Sequence, residues 1–92
     1  MKVFGITILD EFAIKHADVR GQVSSWLAEV KFANWHIPVD IKARYATASF
    51  LPNNIVIFNL KGKKYRLEVL VGFKTQTVII KRIGTHAEYS KW

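Results

Sequence analysis

The end of the chain places a histidine and a tyrosine three positions apart, beside residues that start a helix. Thr85, His86, Ala87 and Glu88 follow the S/T-x-x-E pattern of a helix capping box. If the helix forms, Tyr89 shares a face with His86. An imidazole can take or give a proton, and a phenol can stack on a base or donate a proton. The pair therefore suits chemistry on RNA.

Cations lie just before this helix in the sequence, and another lies on the neighbouring predicted strand. Lys81 and Arg82 lead into Gly84, which is expected to break the strand, and Arg66 lies on the neighbouring strand. Cleavage of a phosphodiester requires its developing charge to be neutralised, and the arginine fork can bind two phosphate oxygens. His86 suits the base or the acid of such a reaction. The predicted catalytic residues are His86, Arg66, Lys81 and Tyr89.

The net charge of +7 is unevenly distributed along the chain. Residues 1–41 hold four cations and five carboxylates (4 − 5 = −1), whereas residues 42–92 hold ten cations and two carboxylates (10 − 2 = +8). So basic a second half predicts a polyanionic partner, although a lysine-rich surface that maintains solubility is the plainer alternative. The predicted RNA-binding residues are Lys42, Asn59, Lys61, Lys63, Lys64 and Arg82.

Composition restricts the class of protein. Ninety-two residues with 50% hydrophobic content predict one folded domain over residues 1–92. There is no cysteine, and the three histidines lack metal-ligand spacing, so we expect neither a metal nor another cofactor. The apolar start is followed by Asp10 and Glu11 where a signal peptide would have small residues. We therefore expect a first strand and a cytoplasmic protein that does not bind a membrane.

Hydrophobic periodicity predicts an α+β domain. A strand is expected over residues 2–8, a short helix over about 11–16 and an amphipathic helix over about 19–33, with Trp26 in the core. One or two helical turns are expected within residues 39–48. Three strands at 55–60, 64–71 and 76–83 have short links, which predict an antiparallel meander. The fold would be a small antiparallel sheet with two N-terminal helices on one face and a short C-terminal helix.

The meander also permits an estimate of strand register. A two-residue turn after its first strand and a four-residue turn after its second would place Arg66 opposite Lys81, and Lys64 opposite Asn59. Like charges directly opposite each other destabilise a sheet, which favours an anion between Arg66 and Lys81. A slip of one residue would put Arg82 there instead. On the apolar face the same register pairs Phe58 with Tyr65, Leu67 with Ile80 and Val69 with Val78.

Three segments resemble the HigB family of bacterial toxins, which belong to the wider group with a RelE-like fold. They are Pro-Val-Asp-Ile-Lys at 38–42 with Tyr45, Phe-Asn-Leu-Lys-Gly-Lys-Lys-Tyr-Arg-Leu at 58–67, and Ile-Gly-Thr-His-Ala-Glu-Tyr at 83–89. Here Lys63 and Lys64 replace the usual asparagine before the Tyr-Arg strand. Ser90 stands where an acidic residue is common, which removes one partner for the cations.

The resemblance implies a ribosome-dependent mRNA endoribonuclease, or mRNA interferase, that inhibits translation. It implies a metal-independent cut through 2′-hydroxyl attack and a cyclic phosphate product. It also implies a cognate antitoxin, expected to be a HigA-like helix-turn-helix protein. Arg66, Lys81, His86 and Tyr89 fall where RelE-like toxins place their basic and terminal aromatic or histidine groups.

Two alternatives use the same basic surface without catalysis. A non-enzymatic RNA-binding or ribosome-associated module would bind RNA with a steep salt dependence and would not need His86. A domain that only binds a protein partner would have weak RNA affinity and a large apolar patch.

Overall fold

The computed structural model describes residues 1–92 as an α+β fold with a five-stranded mixed sheet. The strands are β1 (Lys2–Phe4), β2 (Ser49–Leu51), β3 (Ile55–Leu60), β4 (Tyr65–Gly72) and β5 (Thr77–Thr85). The helices are α1 (Ile6–Lys15), α2 (Arg20–Phe32), α3 (Pro38–Arg44) and α4 (His86–Tyr89). The strands lie in the order β1-β5-β4-β3-β2. None of the helices combines the length and the apolar character that a membrane span requires.

The predicted elements are confirmed, with one addition and one change of direction. The meander, the first strand, the two N-terminal helices and the short C-terminal helix are all present, and α3 provides the helical turns expected in the irregular section, where β2 is the addition. The first strand is shorter than the predicted residues 2–8, because residues 6–8 already belong to α1. The sheet is mixed because β1 pairs with β5 in parallel. β1 is short because Gly5, at φ 88°, turns the chain directly into α1. A Cβ there would lie 3.0 Å from the Ile80 carbonyl oxygen, so the turn also requires the close approach that glycine allows.

The hydrophobic core lies between the sheet and the helices α1 and α2. Trp26 of α2 is 2% exposed and meets the ring of Phe58 edge to face, with centroids 5.3 Å apart, which confirms its prediction as a core residue. Leu67 and Val69 of β4 point into the same core. Because side chains alternate along a strand, Arg66 and Glu68 lie on the opposite face. We call this the outer face.

The predicted register between β3 and β4 is wrong by two residues. Phe58 lies opposite Leu67, and Asn59 lies opposite Arg66. The cause is the turn, which comprises four residues and has positive φ at Lys61 (52°) and Gly62 (64°). Lys64 therefore belongs to the turn and does not pair with Asn59. An even shift leaves the paired side chains of β3 and β4 on their predicted faces.

The predicted pairing between β4 and β5 is also wrong, and here a β-bulge adds an odd shift. Val69 lies opposite Ile80 and Glu68 opposite Arg82, so Lys81 is the extra residue of the bulge. Beyond the bulge, Arg66 lies opposite Gly84. Neither Lys81 nor Arg82 faces Arg66 across the strands. The apolar pairs change accordingly: Leu67 lies opposite Ile83, and Val71 opposite Val78.

Candidate nucleic-acid interface

Arg66 is the one charged residue of the chain that is buried, with 8% of its surface exposed. Its Nη1 donates a hydrogen bond to the Lys63 carbonyl oxygen at 2.7 Å, and it forms no salt bridge. The guanidinium lies over the ring of Tyr89, 5.1 Å from the ring centroid. A guanidinium carries five N–H donors, so most of them remain available to an anion.

The helix α4 begins as the capping box predicts. The Thr85 hydroxyl accepts a hydrogen bond from the Glu88 N–H at 3.2 Å, and the Glu88 carboxylate accepts one from the Thr85 N–H at 2.8 Å. The hydrogen bond from the Thr85 backbone holds the pKa of Glu88 below its usual range. The His86 N–H donates to the Lys64 carbonyl oxygen at 2.9 Å, which ties α4 to the β3–β4 turn. His86 and Tyr89 share a face of α4, as predicted, and their rings stack with centroids 6.3 Å apart.

Gly84 allows the C-terminal segment to fold back across the outer face. A Cβ at this position would lie 3.0 Å from Trp92 Cζ2 and 3.1 Å from Glu88 Cβ. The predicted strand break at Gly84 is wrong, because β5 continues through it to Thr85. The glycine is needed for close contact and not for a turn.

A second cation, Arg82, lies next to Arg66 on the outer face. Its Nη2 donates to Glu68 Oε1 at 3.3 Å, and its guanidinium lies 4.4 Å from the centroid of the Trp92 ring. Trp92 in turn meets Tyr89 edge to face at 5.3 Å. Beside them is a cavity of about 330 Å³, whose lining includes Leu51, Ile57, Glu68, Arg82, Tyr89 and Trp92.

Sequence reasoning missed Glu68 and Trp92. A signal for Glu68 was present, since it lies two residues after Arg66 on one strand and must share its face. Trp92 carried no such signal, because its position depends on the way α4 packs against Gly84.

The predicted RNA-binding lysines of the β3–β4 turn differ in their surroundings. Lys61 and Lys63 are exposed, and Lys63 contributes the carbonyl that Arg66 binds. Lys64 points to the helical side, where its Nζ lies 2.8 Å from Asp18 Oδ2. That hydrogen bond, with a second from the Tyr65 hydroxyl, holds the pKa of Asp18 below its usual range.

Three further predicted site residues lie outside the contacts around Arg66. The Lys42 ammonium donates to the Ala48 carbonyl oxygen at 3.0 Å, and the Asn59 amide donates to the Thr47 carbonyl oxygen at 2.9 Å. Both bonds hold the segment that leads into β2. Lys81 is exposed at the bulge. The structure thus brings together Arg66, His86, Tyr89 and Arg82. No three His, Asp or Glu side chains are grouped to hold a metal ion.

The arrangement of the helices and the mixed sheet is that of a RelE-like fold. Residues 19–92 match the family described as HigB toxin, the RelE-like toxic component of a toxin-antitoxin system. The chain belongs to this family, so it is the toxin of such a pair and has a cognate antitoxin as its partner. The matched region includes every residue of the candidate site. A comparison with curated proteins found no match.

Proposed function

We propose that this toxin is a ribosome-dependent mRNA endoribonuclease that inhibits translation by cutting mRNA in the ribosomal A site. The observation that supports this most directly is Arg66, a nearly buried cation without a carboxylate partner. A buried charge is costly unless it is paired. The stacked pair of His86 and Tyr89 lies at the same place, so an anion bound by Arg66 would meet groups that can transfer protons.

The proposed reaction needs no metal. The 2′-oxygen of one nucleotide attacks the adjacent phosphorus, and its proton passes to a base. The bond from phosphorus to the 5′-oxygen breaks, that oxygen takes a proton from an acid, and a cyclic phosphate remains. His86 can serve as the base or the acid, and Tyr89 can supply a proton or a stacking surface. Arg66 neutralises the charge that develops on the phosphate oxygens.

Exposed cations beside Arg66 would guide the RNA backbone. Lys61 and Lys63 project from the turn next to α4, and Lys81 and Arg82 follow β5 towards the same end of the sheet. Contacts with phosphates make affinity depend on salt without specifying sequence. Lys42 and Asn59 now donate to backbone carbonyl oxygens. They would bind RNA only if those hydrogen bonds broke. We further propose that the antitoxin is a HigA-like helix-turn-helix protein.

Cleavage in a translating extract tests this function. We expect the wild-type toxin to cut mRNA at ribosome-protected positions, mapped by primer extension. Arg66→Ala should lower the rate by about 10²-fold or more, the magnitude of losing one preorganised donor to a developing charge. Arg66→Lys should recover only part, since it restores charge without the fork. Arg20→Ala, which removes an exposed cation of α2, is the matched control and should cut normally.

The results also separate cleavage from simple binding. Intact mRNA at verified toxin concentration in a translating extract would contradict the proposal. Salt-dependent RNA binding that persists in His86→Ala, together with absence of cleavage, would identify a binding module instead.

A further inference from the structure

The cavity beside Arg66 is lined by one carboxylate, that of Glu68, and by one cation, Arg82. The Glu68 side chain is 13% exposed, and only its Oε1 has a partner, the Arg82 Nη2 at 3.3 Å. A carboxylate offers about four acceptor positions, so most of those of Glu68 are unused. A phosphate would be repelled by this group. The carboxylate is therefore suited to a neutral part of a nucleotide that carries hydrogen-bond donors.

Apart from Glu68, Arg82 and Ser90, the residues that line the cavity are apolar or aromatic. Tyr89 and Trp92 line it on the side of the C-terminal segment, and Ile57 lines its floor from β3. Unpaired bases in RNA are commonly stacked on such side chains and read on their Watson–Crick edges. The volume of about 330 Å³ lies at the small end of the range for ligand pockets, which suits a single base.

The position of the cavity fits a nucleotide whose phosphate lies at Arg66. Arg66 and Glu68 are two residues apart on one face of β4, a separation of roughly 7 Å along the strand. Tyr89 links the Arg66 site to the cavity, because its ring packs against the Arg66 guanidinium and also lines the cavity. One nucleotide can therefore contact both.

We propose that this cavity is a base-binding subsite that selects guanine, with Glu68 as the residue that determines specificity. The inference rests on the proposed nuclease function and adds the preferred base. Guanine alone places two donors, N1–H and the 2-amino group, side by side on its Watson–Crick edge, where they match two carboxylate oxygens. Cytosine and adenine present one amino group next to an acceptor. Uracil presents one N–H between two carbonyl groups.

Binding to RNA that cannot be cut tests this directly. The probes are fluorescein-labelled uridine hexamers in which one central position is guanosine, inosine, cytidine or uridine, and every nucleotide, including the central one, is 2′-O-methylated. We expect the guanosine probe to bind at least about fivefold more tightly than the uridine probe, a typical gain for a good base contact. Inosine lacks the 2-amino group and should lose most of this gain. Equal affinity for all four probes would overturn the proposal.

Protein variants assign the preference to its residue. Glu68→Gln should abolish the difference between guanosine and uridine, whereas Glu11→Gln, which removes an exposed carboxylate of α1, should preserve it. If Glu68 serves only to orient Arg82, its substitution will change all four affinities alike, and the proposal is wrong. Inosine changes the RNA and not the protein, so the test stands even if Glu68→Gln folds poorly.

Cleavage maps distinguish this inference from the function on which it rests. Cuts that do not favour guanine next to the cleaved bond, or that keep their preference in Glu68→Gln, would overturn the subsite but not the nuclease. Absence of any cut would overturn the nuclease, and the binding series would still decide whether the cavity reads guanine.

Discussion

The guanidinium of Arg66 on β4 lies over the ring of Tyr89 on α4, 5.1 Å from its centroid. This contact joins a strand in the middle of the sheet to a helix of four residues that has no buried residue of its own. A cation over an aromatic ring stabilises by about 0.5–2 kcal/mol, depending on how far it is desolvated. The ring therefore helps to hold both the arginine and the short helix in place.

Tyr89→Phe and Tyr89→Ala separate the ring of Tyr89 from its hydroxyl. We expect Tyr89→Phe to retain cleavage within about tenfold of wild type, because the contact with Arg66 needs only the ring. Tyr89→Ala should lose considerably more cleavage activity, because it removes the ring that packs against the Arg66 guanidinium. Rates of mRNA cleavage in a translating extract provide the comparison. A loss of 10²-fold or more in Tyr89→Phe would instead identify the hydroxyl as a proton donor.

His86→Ala should lower the cleavage rate by about 10²–10⁴-fold, the usual contribution of a positioned acid or base. Its backbone bond to the Lys64 carbonyl does not depend on the side chain, so the start of α4 should be retained. The matched control is His36→Ala, because His36 is exposed and lies in the segment before α3, outside the contacts around Arg66. Similar rates for the two variants would exclude His86 from the chemistry.

Local interactions made some parts of the site predictable from the sequence. The capping box of α4 is formed by residues only three positions apart, and its two hydrogen bonds occur as expected. The shared face of His86 and Tyr89 follows from helix geometry in the same way. The meander was predictable because its short links leave few other connections.

The strand register was not predictable, because it depends on turn lengths and on a β-bulge, and the pattern of hydrophobic and polar side chains does not indicate either. A positive φ at Lys61, a residue that rarely adopts one, makes the first turn two residues longer than assumed. The second turn comprises residues 73–76, one position later than assumed, which moves the β4–β5 register by two residues. The bulge at Lys81 adds one more residue to that shift and brings Arg82, not Lys81, to the outer face. The parallel pairing of β1 with β5 joins segments over 70 residues apart and has no local signal.

Gly84→Ala should disturb the site while leaving the sheet intact. The new methyl group would lie 3.0 Å from Trp92 and 3.1 Å from Glu88, so the C-terminal segment must move. Overpacking of this kind costs about 1–3 kcal/mol. We expect faster amide hydrogen exchange in residues 86–92 and weaker cleavage, with protection of β3 and β4 unchanged.

Gly21→Ala is the matched control for that substitution. No atom lies within 4 Å of the added methyl group, and Gly21 is inside α2. Replacing a helical glycine by alanine stabilises by about 0.5–1 kcal/mol. The control should raise the melting temperature and retain activity. Equal exchange rates at residues 86–92 in both variants would contradict the packing role of Gly84.

Asp18→Asn should reduce the loss of stability in acid. The carboxylate accepts hydrogen bonds from Lys64 and from the Tyr65 hydroxyl, and these lower the pKa of Asp18 in the folded state. The pKa of aspartate in the unfolded chain is about 3.9. The stabilisation is therefore fully present above that pH and is lost as the pH falls through the lower pKa of the folded state. Urea unfolding from pH 7 to pH 2 should therefore show wild type more stable at neutral pH, with the gap to Asp18→Asn closing below pH ~4.

The other carboxylates with lowered pKa values, Glu29, Asp40 and Glu88, are present in both proteins, so their effects cancel in the comparison. A gap that stays constant across this range would show that the hydrogen bonds of Asp18 do not stabilise the folded state through its charge.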